Sequence, residues 1–182
     1  MGKWLIRDDL FAPHKDVDMV YTGPEPWKMV SQANSLIRQY FEISGTRWTQ
    51  KDVRWDFTDV VRTFFKEIDF KREEDGFTNL LITVRFQGKQ HAETKQGTVR
   101  MIIYAQLQTE FEYNNPFVRL AFLIYMNYFY KGHRIAMLRR NEERMNMMLN
   151  DLRKMFNLPE KSEKSEVKYT PGTAAEAESD VG

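Results

Sequence analysis

The chain of 182 residues contains no cysteine. A disulfide framework and thiolate chemistry are therefore excluded. Histidine is scarce: His14, His91 and His133 fall in separate predicted elements. A histidine metal site needs converging ligands, such as an i, i+4 pair on a helix, and no such pair is present. His91-Ala92-Glu93 sits in a polar loop and makes a poor ligand pair. No serine lies in a nucleophile-elbow context. Gly88 and Gly97 bound a loop rather than cradle a phosphate. No metal, cofactor or catalytic residue is expected. Charge of one sign is also lacking, with 27 basic against 26 acidic residues and a net charge of +1. Global charge thus argues neither for nor against nucleic acid. The first residues, Met-Gly-Lys-Trp-Leu-Ile-Arg-Asp-Asp, lack the apolar run of a signal peptide. A cytoplasmic protein is expected.

What is there is apolar and aromatic. An apolar fraction of 42% suffices for a core, and 14% aromatics suit a β-rich core or a lined cavity. The organising stretch runs from Asn115 to Phe156. Asn115 suits an N-cap and Pro116 the first helical position. Asn157 suits the left-handed residue that closes a helix, and Pro159 blocks continuation. Between them a stripe runs Phe117, Ala121, Ile124, Tyr128, Ile135, Leu138, Met145, Leu149, Leu152, Phe156.

The two halves of this helix differ. From Phe117 to Tyr130 only Arg119 and Asn127 are strongly polar, so burial on most sides is expected. That segment is too short to span a bilayer, which takes about 20 apolar residues. From Lys131 the helix is amphipathic and basic. Gly132 lies between the halves and could break it, although no good N-cap follows. An unbroken helix would span about 60 Å, against about 35 Å for a compact body. It should overhang, leaving Leu138, Met145, Leu149 and Leu152 in need of a cover.

Before the helix the chain reads as follows. Residues 1–14 form an arm that packs Trp4, Ile6, Leu10 and Phe11 on the body. Val17, Met19 and Tyr21 mark a short strand. A helix follows over about 26–43, with a wide apolar face that includes Trp27, Val30, Ile37 and Phe41. Residues 46–73 admit two readings. Thr49 to Asp52 fits a capping box ahead of helical spacing, but the wealth of Val, Trp, Phe and Thr favours strands. Two strands at about 51–58 and 62–73, with a turn or bulge near Asp59, are preferred. Asp75-Gly76 is a hairpin turn signal. Two strands with clear alternation follow, whose inward residues are Leu80, Ile82, Val84, Phe86 and then Val99, Met101, Ile103, Ala105, Leu107. Residues 159–182 read as a disordered tail after a single domain at 15–158.

The expected fold is α+β: an antiparallel curved sheet of five to seven strands wrapped on a long C-terminal helix, with one further helix after the first strand. This outline, over about residues 15–156, resembles the helix-grip fold of START-like and polyketide-cyclase-like proteins. The Val53-Arg54-Trp55-Asp56 strand, the end of the last strand at Glu110-Phe111-Glu112-Tyr113 and the aromatic-to-basic helix are also similar to uncharacterised archaeal proteins of that outline. The resemblance implies a cavity between sheet and helix that binds an apolar molecule or lipid without catalysis. Its expected lining is Val84, Phe86, Met101, Ile103, Ala105 and Ile124, with Thr109, Tyr128, Asp59 and Lys66 as polar anchors.

The alternative is an interaction or assembly factor. Met137, Met145, Met147, Met148 and Met155 crowd the distal helix, where thioethers suit a surface that repacks. Leu138, Met145, Met148, Leu149 and Leu152 would form a homodimer or partner face within 135–156. Arg140 and Arg144 share a face that could contact phosphates, with RNA or ribosome association as the lesser form of this idea. Interleaved Glu142, Glu143 and Asp151 favour a solvated face instead.

Overall fold

The computed structural model describes residues 2–159; the expected tail lies outside them from residue 160 onward. The fold is α+β, with a six-stranded antiparallel open sheet and a long C-terminal helix. Strands β1 (Gly2–Asp9), β2 (Asp16–Pro24), β3 (Trp48–Asp56), β4 (Val61–Glu73), β5 (Thr78–His91) and β6 (Gln96–Tyr113) are joined by one helix, α1 (Trp27–Tyr40), and followed by the helical run 116–156.

The order across the sheet is β1, β6, β5, β4, β3. Strand β2 also pairs with β6, along the same edge as β1. Asp9 is paired with Gln106 and Asp16 with Tyr104, so β1 and β2 follow one another in line. The expected arm therefore contributes a strand, and its Trp4, Ile6 and Phe11 still pack on the core. The β4–β5 hairpin turns at Asp75-Gly76, whose Asp75 Oδ1 accepts from the backbone N–H of Phe77 and Thr78 at 2.9 and 2.7 Å. Residues 46–73 are two strands, with the register shift at Gln50/Asp52 and the turn around Asp59.

One face of the sheet is dry. Leu80, Ile82, Val84, Phe86, Val99, Met101, Ile103, Ala105 and Leu107 are all fully buried, as their alternation requires. Two helices cover them. From α1 come Met29, Val30, Ala33, Leu36 and Ile37. From the last helix, α3 (Lys131–Phe156), come Met137, Asn141, Met145, Met148, Leu149 and Leu152. The two helices also touch each other, and the Tyr40 hydroxyl donates to the Asp151 carboxylate across the contact.

The helical run is continuous through Gly132 but not uniform. Helix α2 (Pro116–Tyr125) passes into a π-helical turn, Met126–Tyr130, and then into α3. Asn115 caps the start, accepting from the Val118 N–H at 2.8 Å, and Asn157 closes the end in the left-handed region. The i→i+5 turn is wider and advances less per residue, so residues spaced by four stay in line through it. The buried positions accordingly run Phe122, Met126, Tyr130, then Met137, Asn141, Met145.

This corrects the expected rotation of the proximal half. Phe117, Ala121, Ile124 and Tyr128 face solvent, not the sheet. It also reverses the overhang. The distal residues Met145, Met148, Leu149 and Leu152 are core, and Leu138 is half-buried against them. A Leu149→Glu, Leu152→Glu variant should thus fail to fold, shown by loss of the far-ultraviolet signal, because two unpaired charges would enter the core. A folded variant would place that stripe on the surface.

Candidate functional site

Three features stand apart from the ordinary core: the polar clamp under the helix, the bare proximal helix, and the tryptophan-rich end of the sheet.

The clamp sits where the π turn meets the β4–β5 hairpin. Thr78 and Thr109, neighbours across β5 and β6, share a hydrogen bond of 2.9 Å. The Tyr130 hydroxyl lies 2.6 Å from Thr78 Oγ1 and donates to Asp75 Oδ2 at 2.5 Å. His133 Nε2 stands 3.7 Å from the same carboxylate. One turn on, the buried Glu74 carboxylate accepts from Arg140 at 2.7 Å and from Asn141 at 3.1 Å. Burial and the Asp75 hydrogen bond raise the Tyr130 pKa. For Asp75 burial acts upward, but hydrogen bonds from Tyr130, Phe77 and Thr78 outweigh it and the pKa falls.

Thr78, Thr109, Asp75 and Tyr130 all have partners, so the arrangement holds the helix on the sheet. Tyr130→Phe should lower the unfolding free energy by about 1–3 kcal/mol, because Asp75 loses a buried donor and Thr78 a buried acceptor. Chemical denaturation checks this, and a loss below half a kcal/mol would deny the clamp its role. The depressed Asp75 pKa gives the pH direction. Its contribution is complete above the unfolded value of about 4 and is lost as pH falls through the lower folded value. Amide exchange at residues 126–134 should quicken in that acid range, and Asp75→Asn should remove the pH dependence.

The proximal helix is bare. Phe117 is 81% exposed, Tyr128 81%, Phe129 73%, Leu120 56% and Ile124 49%. The reason is the shape of the sheet's end. Strand β5 begins at Thr78 opposite Thr109, so beyond that point only β1 and the last turns of β6 continue. Their main contact is at Phe122, which stacks on Phe111 at 3.6 Å and meets Trp4 and Phe77 edge-on. Among the described residues, only Arg119, 5.7 Å from the Tyr113 ring centre, makes a further contact, and the rest of that half-cylinder stays exposed. Taking about 200 Å² for a large side chain, the exposed apolar residues of 117–129 together present on the order of 800 Å².

The tryptophan-rich end lies at the opposite corner. Trp55 of β3 meets Trp27 at the start of α1 (ring centroids 4.4 Å apart), and Phe64 of β4 packs on both. Gly88, paired with Phe64, leaves room for that ring, which a Cβ there would strike. Phe57 stacks on Trp55, and the Arg62 guanidinium lies 5.1 Å from the Phe57 ring centre. Lys66 stands 5.5 Å from the Trp27 ring, and burial lowers its pKa.

The expected lining residues are not brought together around a space. Val84, Phe86, Met101, Ile103 and Ala105 are core with no free surface, and Thr109 is tied to Thr78. Ile124 and Tyr128 are on the bare helix. Asp59 is in the β3–β4 turn, where its side chain accepts from the Val60 N–H at 2.7 Å. Lys66 does point to the inner face, but under α1 rather than under the last helix. Of the expected phosphate pair, Arg140 is engaged by Glu74 and Arg144 is half-buried beside the core.

Two cavities lie away from the sheet–helix gap. One, of about 650 Å³, is an open trough over the ends of β3–β6 that includes Arg54, Lys89 and Arg100. Its arginines are already paired, Arg54 with Asp52 at 2.8 Å and Arg100 with Asp18 through contacts of 2.6–3.0 Å. The other, of about 300 Å³, opens between α1 and the β5–β6 loop beside Trp27, Trp55 and Arg62. No group of His, Asp or Glu among the described residues is arranged to hold a metal ion. No described helix is long and apolar enough to cross a membrane.

Comparisons add little to this. No family model and no curated protein matches the chain. Among solved structures it is similar to a protein of unknown function, SA2116, from Staphylococcus aureus, with 11% identity over 85% of this chain and 98% of that one and a TM-score of 0.31. It is also similar to an uncharacterised protein from Rhizobium leguminosarum, with 10% identity over 86% and 99% and a TM-score of 0.25. At these scores neither likeness carries a function to this chain.

Proposed function

We propose that this is an interaction protein, and that the bare face of residues 117–129 pairs with the same face of a second copy. The observation that carries the reading is the exposure of Phe117, Leu120, Ile124, Tyr128 and Phe129 on one half-cylinder of a capped helix. The area, on the order of 800 Å², exceeds the largest apolar patch of a typical monomer and equals one partner's share of a standard interface. A two-fold pairing of one helix face needs no second surface and brings only one charge per copy, Arg119, to the seam. A lipid surface is less well matched. Helices that lie on anionic bilayers carry a cationic flank, whereas residues 117–129 carry a single charge, Arg119.

In this reading the body is a helix-grip variant. The sheet grips the distal half of the last helix, consistent with the burial of Met145, Leu149 and Leu152, and leaves the proximal half outside as the docking element. The apolar-ligand form of the resemblance is not carried forward, because the side chains that would line its cavity fill the space themselves. Sedimentation equilibrium is the test. A dimer that becomes a monomer on Tyr128→Glu, Phe129→Glu supports the proposal. A wild-type monomer at tens of micromolar overturns it, and flotation of that monomer with phosphatidylglycerol vesicles would reassign the face to membrane.

A further inference from the structure

The cavity at the tryptophan-rich end differs in kind from the bare helix. It is small, about 300 Å³, at the lower end of ligand-pocket sizes. Two donors in its lining are buried without an acceptor, Trp55 Nε1 and Arg62 Nε. Unpartnered buried donors are uncommon, and an acceptor from outside the chain is the direct way to satisfy them. A third donor follows from geometry. His91 Nδ1 accepts from the backbone N–H of Glu93 and Thr94, both at 3.3 Å, which puts the proton of the neutral ring on Nε2.

The charges agree. Lys28, Arg62 and Lys95 line the space against a single carboxylate, Glu25, which is already paired with Lys28. The first turn of α1 lies alongside and adds its positive end. The apolar wall is the Trp27–Trp55 pair, with Phe57, 60% exposed in the β3–β4 turn, stacked on Trp55.

We propose that this cavity binds a compact anion carrying a flat ring, an aromatic carboxylate or phosphate, with its oxygens toward the Arg62 guanidinium and Lys95 and its ring against the tryptophans. Arginine suits the anionic group because its planar donors meet two oxygens at once.

Calorimetric titration of the intact chain with benzoate, phenyl phosphate and the neutral benzamide tests this. Saturable binding of either anion, at least tenfold tighter than benzamide, is expected, and the preferred anion tells carboxylate from phosphate. Arg62→Gln should weaken that binding at least tenfold. Lys95→Gln, in an exposed loop where folding is not at stake, should weaken it by a smaller factor, while Arg7→Gln on β1 leaves it unchanged. No saturable binding of either anion at millimolar concentration, equal binding of benzamide, or an unchanged constant in folded Arg62→Gln and Lys95→Gln overturns the proposal.

Discussion

Replacing Ile103 with Ala should lower the unfolding free energy by about 2–5 kcal/mol, the cost of a buried large-to-small change plus its cavity. Ile103 lies mid-way along β6, paired with Val84 on one side and Val17 on the other, with no exposed surface. Against a total of about 5–15 kcal/mol this is a large fraction. It should appear as a melting temperature roughly 5–20 °C lower. Tyr128→Ala is the paired measurement. At 81% exposure that side chain should leave the stability of the isolated chain within about half a kcal/mol. A large loss at Tyr128, or none at Ile103, would mean that the helix is rotated onto the sheet through its other face.

Self-association should respond in the opposite order. Tyr128→Glu, Phe129→Glu changes two solvent-facing residues, so the fold should survive. In the pair, both charges would be buried without partners on each side of the two-fold axis. The dimer should loosen at least a hundredfold, about 2.7 kcal/mol. Sedimentation of wild type and variant over the same concentration range shows it. Ile103→Ala, by contrast, should leave the dimer constant unchanged below its melting temperature, because no residue of the proposed interface touches it.

Much of the body was legible in the residues. Strict alternation over Leu80–Phe86 and Val99–Leu107 told inside from outside, because a pleated strand has a period of two. Asp75-Gly76, Asn115-Pro116 and Asn157 marked ends, because each meets a local backbone requirement. The rotation of the proximal helix was not legible. A stripe read at 3.6 residues per turn cannot register a π turn at Met126–Tyr130, whose cause is tertiary: Tyr130 must reach Asp75 and Thr78. Nor could composition tell which half overhangs. An apolar segment looks buried, and only the pairing of β5 with β6 reveals that the sheet narrows before it reaches residues 117–129. The N-terminal strand was hidden for the same reason, since its partner is more than ninety residues away.

The tryptophan-rich cavity was missed altogether. Arg62 carried no sequence signal of its own, and Trp27 read as a residue of the helix's apolar face. The signal available was the clustering of Trp55, Phe57 and Phe64 beside Arg62, but its meaning depends on α1 closing over β3 and β4.

The absence of cysteine supplies the most direct test of the central claim. A single spin label can be placed by Ala121→Cys, mid-way along the bare face, and on a second sample by Ser35→Cys on the exposed side of α1. Packed helices lie 8–10 Å apart, so labels at Ala121 in a two-fold pair should couple within roughly 20 Å. The account predicts strong coupling at Ala121 and none at Ser35. Equal absence of coupling at both, at concentrations where the wild type is intact, would contradict pairing through residues 117–129.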